Sequence, residues 1–192
     1  MQIITPYTKN KPYKNAIYLA GKCPISENEF DWRDIAIQFL EKLKFNGIVI
    51  NPVNYDFQNL TEKEKQYQIL WEQEQLKKAS AIVFFLDRDE KHSCLTSNIE
   101  LEQYLLDDRV FICCPESSKG NDYIKSLYSI YNKEIYTNTE SVMEAVVNTL
   151  NAKCTEWFIS DTLFTDNICL KSIKTANKGD YIRNMDINIQ ME

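Results

Sequence analysis

Apolar residues recur along the chain in short unbroken runs, at residues 16–20, 47–50, 81–86 and 110–114, with a weaker run at 134–136. Runs this continuous leave no solvated face, which predicts buried parallel strands. Between them the apolar positions switch to helical spacing. Residues 30–45 carry Ile35, Phe39, Leu40 and Leu43, and helical patterns follow at 62–79, 97–106, 122–131 and 141–150. Such alternation predicts an α/β fold, a five-stranded parallel sheet of doubly wound, flavodoxin-like type with helices on both faces. In the order 2-1-3-4-5, strands 16–20 and 81–86 flank the point where the order reverses, and ligands bind outside the carboxyl ends there. Gly21 and Lys22 are therefore expected to share one crevice with the stretch from Asp87 to Glu100.

The flanks read differently. Residues 1–14 contain two prolines and three lysines and read as an irregular arm. After the domain at 15–151, the extension at 152–192 carries an aromatic cluster (Trp157, Phe158, Leu163, Phe164). Two apolar stretches, 168–173 and 181–189, then flank Asn177-Lys178-Gly179-Asp180, the pattern of a β-hairpin. Packing or oligomerisation is its expected role, because open edge strands invite pairing.

A chain of 192 residues with 44% hydrophobic and 26% charged residues is expected to build a single core. The net charge of −6 supplies no field for a polyanionic backbone, which argues against a nucleic-acid partner and leaves a small nucleoside or nucleotide open. No run approaches the length of a membrane span, and residues 8–11 are too polar for the core of a signal peptide, so a cytoplasmic protein is expected. The six cysteines form no C-x-x-C pair and read as reduced structural thiols. His92 is the only histidine, which removes two-histidine zinc motifs, and it reads as a solvated loop residue; no metal is expected.

Several segments carry a family resemblance. Ile17-Tyr18-Leu19-Ala20-Gly21, Trp32-Arg33, Asn51-Pro52, Trp71-Glu72, the entry Ala79 to Phe85, Thr96-Ser97-Asn98-Ile99-Glu100-Leu101 and Cys113-Cys114-Pro115-Glu116 follow one another in the order and spacing of the nucleoside 2-deoxyribosyltransferase family. The chain resembles that family from Asn15 to Leu150. The resemblance implies an enzyme that cleaves or transfers the 2-deoxyribosyl group of nucleosides or nucleoside monophosphates, without a cofactor. It places the nucleophile at Glu100, a hydrogen bond from Tyr18 orienting it, and an acid facing the nucleobase at Glu72. It also implies a homo-oligomer, in which a polar side chain such as Asn151 would complete a neighbouring site.

The chemistry suits carboxylates. Departure of a base from C1′ passes through an oxocarbenium-like state that needs a carboxylate beneath the sugar and an acid near the base. Glu100 reads as lying in the first turn of its helix, where the dipole and backbone N–H groups favour an ionised carboxylate. Asp87 is a second candidate for proton handling. Gly21, Lys22, Asn51, Ser93, Thr96 and Ser97 are candidates for holding the sugar or its 5′-oxygen. Two departures stand out: Glu102 follows Glu100-Leu101 where the family commonly has glycine, and Ser80 replaces an aspartate. Glu102 leaves room for a second class of function, a module that senses a nucleotide or NAD-derived ligand without turnover, and an N-glycosidase acting on NAD or a ribonucleotide is a third.

Overall fold

The computed structural model describes residues 1–6, 8, 15–24 and 26–161, with side chains described up to Ala152. The proposed hairpin and aromatic cluster of the extension lie outside these residues, apart from the helix backbone that reaches Asp161. The chain divides into two compact units, Met1–Asn148 and Thr149–Glu192.

The first unit is an α/β fold around a six-stranded parallel sheet, one strand more than the sequence suggests. In chain order the strands are β1 (Gln2–Ile4), β2 (Ala16–Gly21), β3 (Ile48–Ile50), β4 (Ala81–Phe85), β5 (Val110–Cys113) and β6 (Ile135–Tyr136). Their spatial order is β1-β3-β2-β4-β5-β6, so the reversal lies between β2 and β4 as expected, and every pairing is parallel. The added strand corrects the reading of residues 1–14 as wholly irregular. Gln2–Ile4 pairs with Ile48–Ile50 on the outer side of β3, capping an edge that would otherwise expose its backbone.

Every residue of β2, β3 and β4 is buried, which is why their runs are continuous and not alternating. The helices are α1 (Trp32–Lys42), α2 (Glu62–Lys78), α3 (Leu95–Tyr104), α4 (Asp122–Ile130) and α5 (Thr139–Asp161), the last crossing from one unit into the other. Thr61 starts α2 with a full capping box to Glu64, and the side chain of Asp31 caps α1 through Arg33 N–H.

Two helix faces differ from expectation in ways that matter for the site. The buried side of α1 is Trp32, Arg33, Ala36 and Leu40, not the Ile35 side, and Ile35 is exposed. The inward stripe of α2 is Gln68, Trp71, Gln75 and Leu76, a helical spacing that carries polar side chains into the interior. Tyr18, Trp71, Leu76, Phe84 and Leu101 share one core cluster, which puts α2 and α3 on the Tyr18 face of the sheet. Trp32 stacks on Phe85 at 4.6 Å, on the opposite face, because successive strand residues point to opposite sides. Among the described residues, no helix is long and apolar enough to cross a membrane.

Candidate active site

Glu100 enters the protein from α3, whose buried stripe is Ser97, Glu100 and Leu101. The helix begins at Leu95, after a left-handed Cys94 with no side-chain cap, so Glu100 occupies its second turn and not its first. The difference shows in its charge state. Burial at 7% exposure, followed by the neighbouring Glu72 carboxylate, pushes the Glu100 carboxyl up to about 7, with Arg33 pulling the other way. The expected stabilisation of the ionised form by the helix N-terminus does not govern this group.

Glu72 reaches the same place from α2. Burial raises its carboxyl also, against a 2.8 Å hydrogen bond from Gln68 Nε2 to Oε1 and the pull of Arg33. Gln68 is itself fixed: its Oε1 accepts from Asn54 Nδ2 at 2.8 Å and its Nε2 donates to the Pro52 carbonyl at 3.3 Å. The loop after β3 thus orients Glu72 through one glutamine. Tyr18, 1% exposed on β2, is pushed up by burial and then by the charges of Glu100 and Glu72. The three groups are electrostatically coupled, although no Tyr18–Glu100 hydrogen bond joins them in the structure as described. Glu102 is exposed, two residues and half a helical turn away from Glu100.

Asp87 is engaged by a lysine. The ammonium of Lys22 lies 3.0 Å from Asp87 and 2.9 Å from Asp89, tying the turn after β2 to the loop after β4. Burial lowers the Lys22 ammonium, but hydrogen bonds to Asp89 and Asp87 outweigh it and leave it above the usual lysine range. Hydrogen bonds from Lys22 and His92 hold Asp89 well below the carboxylate range. His92 is buried in this clasp and not solvated, with Nδ1 2.8 Å from Asp89 and Nε2 2.8 Å from Glu29.

The remaining candidates divide by role in the fold. Gly21 has φ +120°, and a Cβ there would lie 2.2 Å from the Phe85 carbonyl oxygen, so close strand contact already requires glycine. Asn51 Oδ1 accepts from Val53 N–H at 3.1 Å, a local turn bond. Ser93 and Thr96 are exposed, whereas Ser97 is buried on the same stripe as Glu100. Ser80 Oγ accepts from Ala16 N–H at 3.1 Å, a structural role.

Arg33 is the group that the sequence did not single out. It is fully buried and donates from Nε to the Leu19 carbonyl at 2.9 Å and from Nη1 to the Lys22 carbonyl at 2.8 Å. Its Nη1 also meets Asp31 Oδ1 at 3.1 Å. An Asp-Trp-Arg triplet opening a helix beside a strand end was the available signal, with the capping Asp31 as counter-ion. A second clasp closes the region: Asn121 Nδ2 and Ser118 Oγ both donate to the Leu86 carbonyl, at 2.8 and 2.6 Å. Arg88 adds to it by joining Asn98 on α3 to the Gly120 carbonyl.

Three of the described thiols are inert by environment. Burial pushes Cys113 up to about 12 and both Cys94 and Cys114 up to about 11. Among the described residues no cluster of histidine, cysteine or carboxylate side chains is arranged to hold a metal. A groove of about 480 Å³ lined by Cys114, Lys125, Ser129 and Lys133 among others involves none of Tyr18, Glu72 and Glu100.

Comparison with known proteins places these observations. The family model described as nucleoside 2-deoxyribosyltransferase like matches residues 14–118, which span β2 to β5 and contain Tyr18, Arg33, Glu72 and Glu100. No curated protein matches the chain.

Proposed function

This chain belongs to the nucleoside 2-deoxyribosyltransferase-like family, and on that premise we propose that it cleaves or transfers the 2-deoxyribosyl group of a nucleoside or nucleoside monophosphate through a covalent intermediate on Glu100. The observation that carries the reading is that Glu72, half-buried on α2, raises the carboxyl of the buried Glu100 on α3, and that both charges act on Tyr18.

Burial and the Glu72 charge favour a proton on Glu100 in the free protein, and the reaction needs that proton on Glu72. With the proton on Glu72, the Glu100 carboxylate attacks C1′, the C1′–N bond breaks with its electron pair passing to the base, and Glu72 delivers its proton to the base nitrogen. Attack on C1′ of the glycosyl ester by water or by a second base, whose proton passes to Glu72, breaks the C1′–O bond and frees Glu100 with net retention. Asp87, held by Lys22, is less suited to this proton transfer than Glu72.

The test is chromatographic detection of free base from deoxynucleosides, deoxynucleoside monophosphates, ribonucleosides and NAD, with and without an acceptor base. Release from the deoxy substrates is expected, and dependence on the acceptor separates transferase from hydrolase. A folded protein that releases no base from any of them, yet binds a nucleotide by calorimetry, would instead be a sensing module.

Glu72→Gln carries a second prediction. Removing its charge removes one of the causes that raise Glu100, so the acid limb of the pH–rate profile moves to lower pH. The maximal rate falls about 10²-fold, the usual scale for losing a general acid. A reduced rate with an unmoved acid limb would show that the two groups do not communicate.

A further inference from the structure

We propose that Gln68 is a positioning residue of this site: its amide, locked in one orientation by backbone groups, offers Glu72 a donor and never an acceptor, which confines the proton of that acid to one carboxyl oxygen. The inference rests on the reading of Glu72 as the acid that protonates the leaving base, and adds how that proton is aimed.

The lock is built from groups that cannot change roles. An amide side chain presents N–H donors on one side and a carbonyl oxygen on the other, and either side can face a neighbour until a fixed group decides. Here two backbone groups decide. The N–H of Asp56 can only donate, and Asn54 Oδ1 accepts from it at 3.1 Å. Asn54 Nδ2 therefore points the other way and donates to Gln68 Oε1 at 2.8 Å. The carbonyl of Pro52 can only accept, and Gln68 Nε2 donates to it at 3.3 Å and to Glu72 Oε1 at 2.8 Å, one bond for each of its two hydrogens. Turning the Gln68 amide over would set its oxygen against the Pro52 carbonyl and its nitrogen against that of Asn54, breaking both bonds at once.

Packing alone does not ask for this arrangement. Gln68 is 5% exposed, on the inward stripe of α2 with Trp71 and Leu76, where an apolar side chain would serve the core. A buried amide must have partners, and those of Gln68 connect the loop after β3 to a carboxyl one helical turn further along α2. The consequence is chemical. Glu72 Oε1 accepts from Gln68 and cannot carry the proton in that bond, so a protonated Glu72 bears it on Oε2. A carboxyl free to rotate would present its proton in either of two directions. The bond to the ionised form also opposes the rise that burial imposes on Glu72, so Gln68 weakens the hold on the proton while fixing its direction. The titratable and charged groups facing Glu72 from other elements are Glu100 on α3, Tyr18 on β2 and Arg33 on α1.

The experiment uses the full chain with ¹³C-labelled glutamate side chains. Glu72 is assigned by comparison with Glu72→Gln and titrated by NMR, a readout that needs no turnover, and kcat and KM for base release are measured alongside. Gln68→Met keeps the length of the side chain and removes the donor. The Glu72 midpoint is expected to rise by about one pH unit. The kcat is expected to fall about tenfold with KM little changed, because the carboxyl then holds its proton better and delivers it worse. Asn54→Ala, in the loop, is expected to move both quantities in the same directions by less, and the double variant to match Gln68→Met alone. Loosening of the site would expose Glu72 and lower its midpoint, so a rise cannot come from damage alone. If Gln68→Met does not fold, Asn54→Ala decides by the same signs. An unmoved or lowered midpoint, or a raised one with kcat unchanged, overturns the positioning role and leaves the proposed chemistry standing. Raised midpoints in a protein whose wild type releases no base from any substrate keep the hydrogen-bond chain and overturn the chemistry.

Discussion

Glu100→Gln is expected to abolish base release, by about 10³-fold or more, while making the protein more stable at alkaline pH. The loss of activity follows from the removal of the attacking oxygen: an amide forms no glycosyl ester, and the remaining site offers only binding and a proton. The gain in stability follows from linkage. The carboxyl moves from an ordinary 4.5 to about 7 on folding, so the folded state binds its proton more tightly than the unfolded chain does. Its contribution is complete below the unfolded value and is lost as pH rises through the folded one. The span between the two corresponds to about 3 kcal/mol. Glutamine has the same shape and never ionises, and it escapes that loss. Urea unfolding of wild type and variant should give matching midpoints near pH 4 and a clear advantage for the variant at pH 8. Equal midpoints at both values, together with full activity, would remove Glu100 from the site.

The pairing of lost activity with gained stability also separates function from architecture. A residue retained for packing costs stability when it is replaced. A residue held in a setting that penalises its charged form gives stability back, and the Glu100–Glu72 pair has that character.

What the sequence disclosed depended on how local each signal is. Strands buried on both faces announce themselves as apolar runs, so β2 to β5 were legible, and the half-buried β6 showed only as a weaker run. β1 was not. Its three residues are too few for periodicity, Ile3 is exposed, and the strand exists because β3 has a free edge to receive it. The start of α2 was legible from its spacing and coincides with the capping box of Thr61 and Glu64, whereas α3 begins after a left-handed Cys94 that offers no cap, two residues before the helical pattern read at 97–106. That shift carried an electrostatic error with it: a first-turn glutamate would be held ionised, whereas the second-turn glutamate observed is governed by burial and by Glu72. The carboxylates were visible as residue types in a family order. The part played by Arg33 depends on where β2 ends relative to α1 and on contacts to carbonyls, which no side-chain pattern encodes. His92 was hidden for the same reason, since its partners Asp89 and Glu29 come from separate loops.

Gly21→Ala is the second large effect, expected to destabilise the protein by about 4 kcal/mol or more and to lower base release in whatever fraction remains folded. At φ +120° any Cβ is strained, and here it would stand 2.2 Å from the Phe85 carbonyl oxygen and 2.6 Å from the Phe85 amide nitrogen. Both are backbone atoms of the neighbouring strand, so no side-chain rotation relieves the clash. Relief requires β2 and β4 to part where Gly21 pairs with Phe85 and where Lys22 N–H donates to the Phe85 carbonyl at 2.8 Å. These strands flank the crevice, and the movement does not stay local. The Lys22 carbonyl accepts from Trp32 Nε1 at 3.1 Å and from Arg33 at 2.8 Å, so shifting it releases the indole and the guanidinium together. The urea midpoint of Gly21→Ala should fall steeply, and base release per folded molecule should fall with it. An alanine variant with the wild-type midpoint and the wild-type rate would mean that the strand ends have slack that this close approach denies.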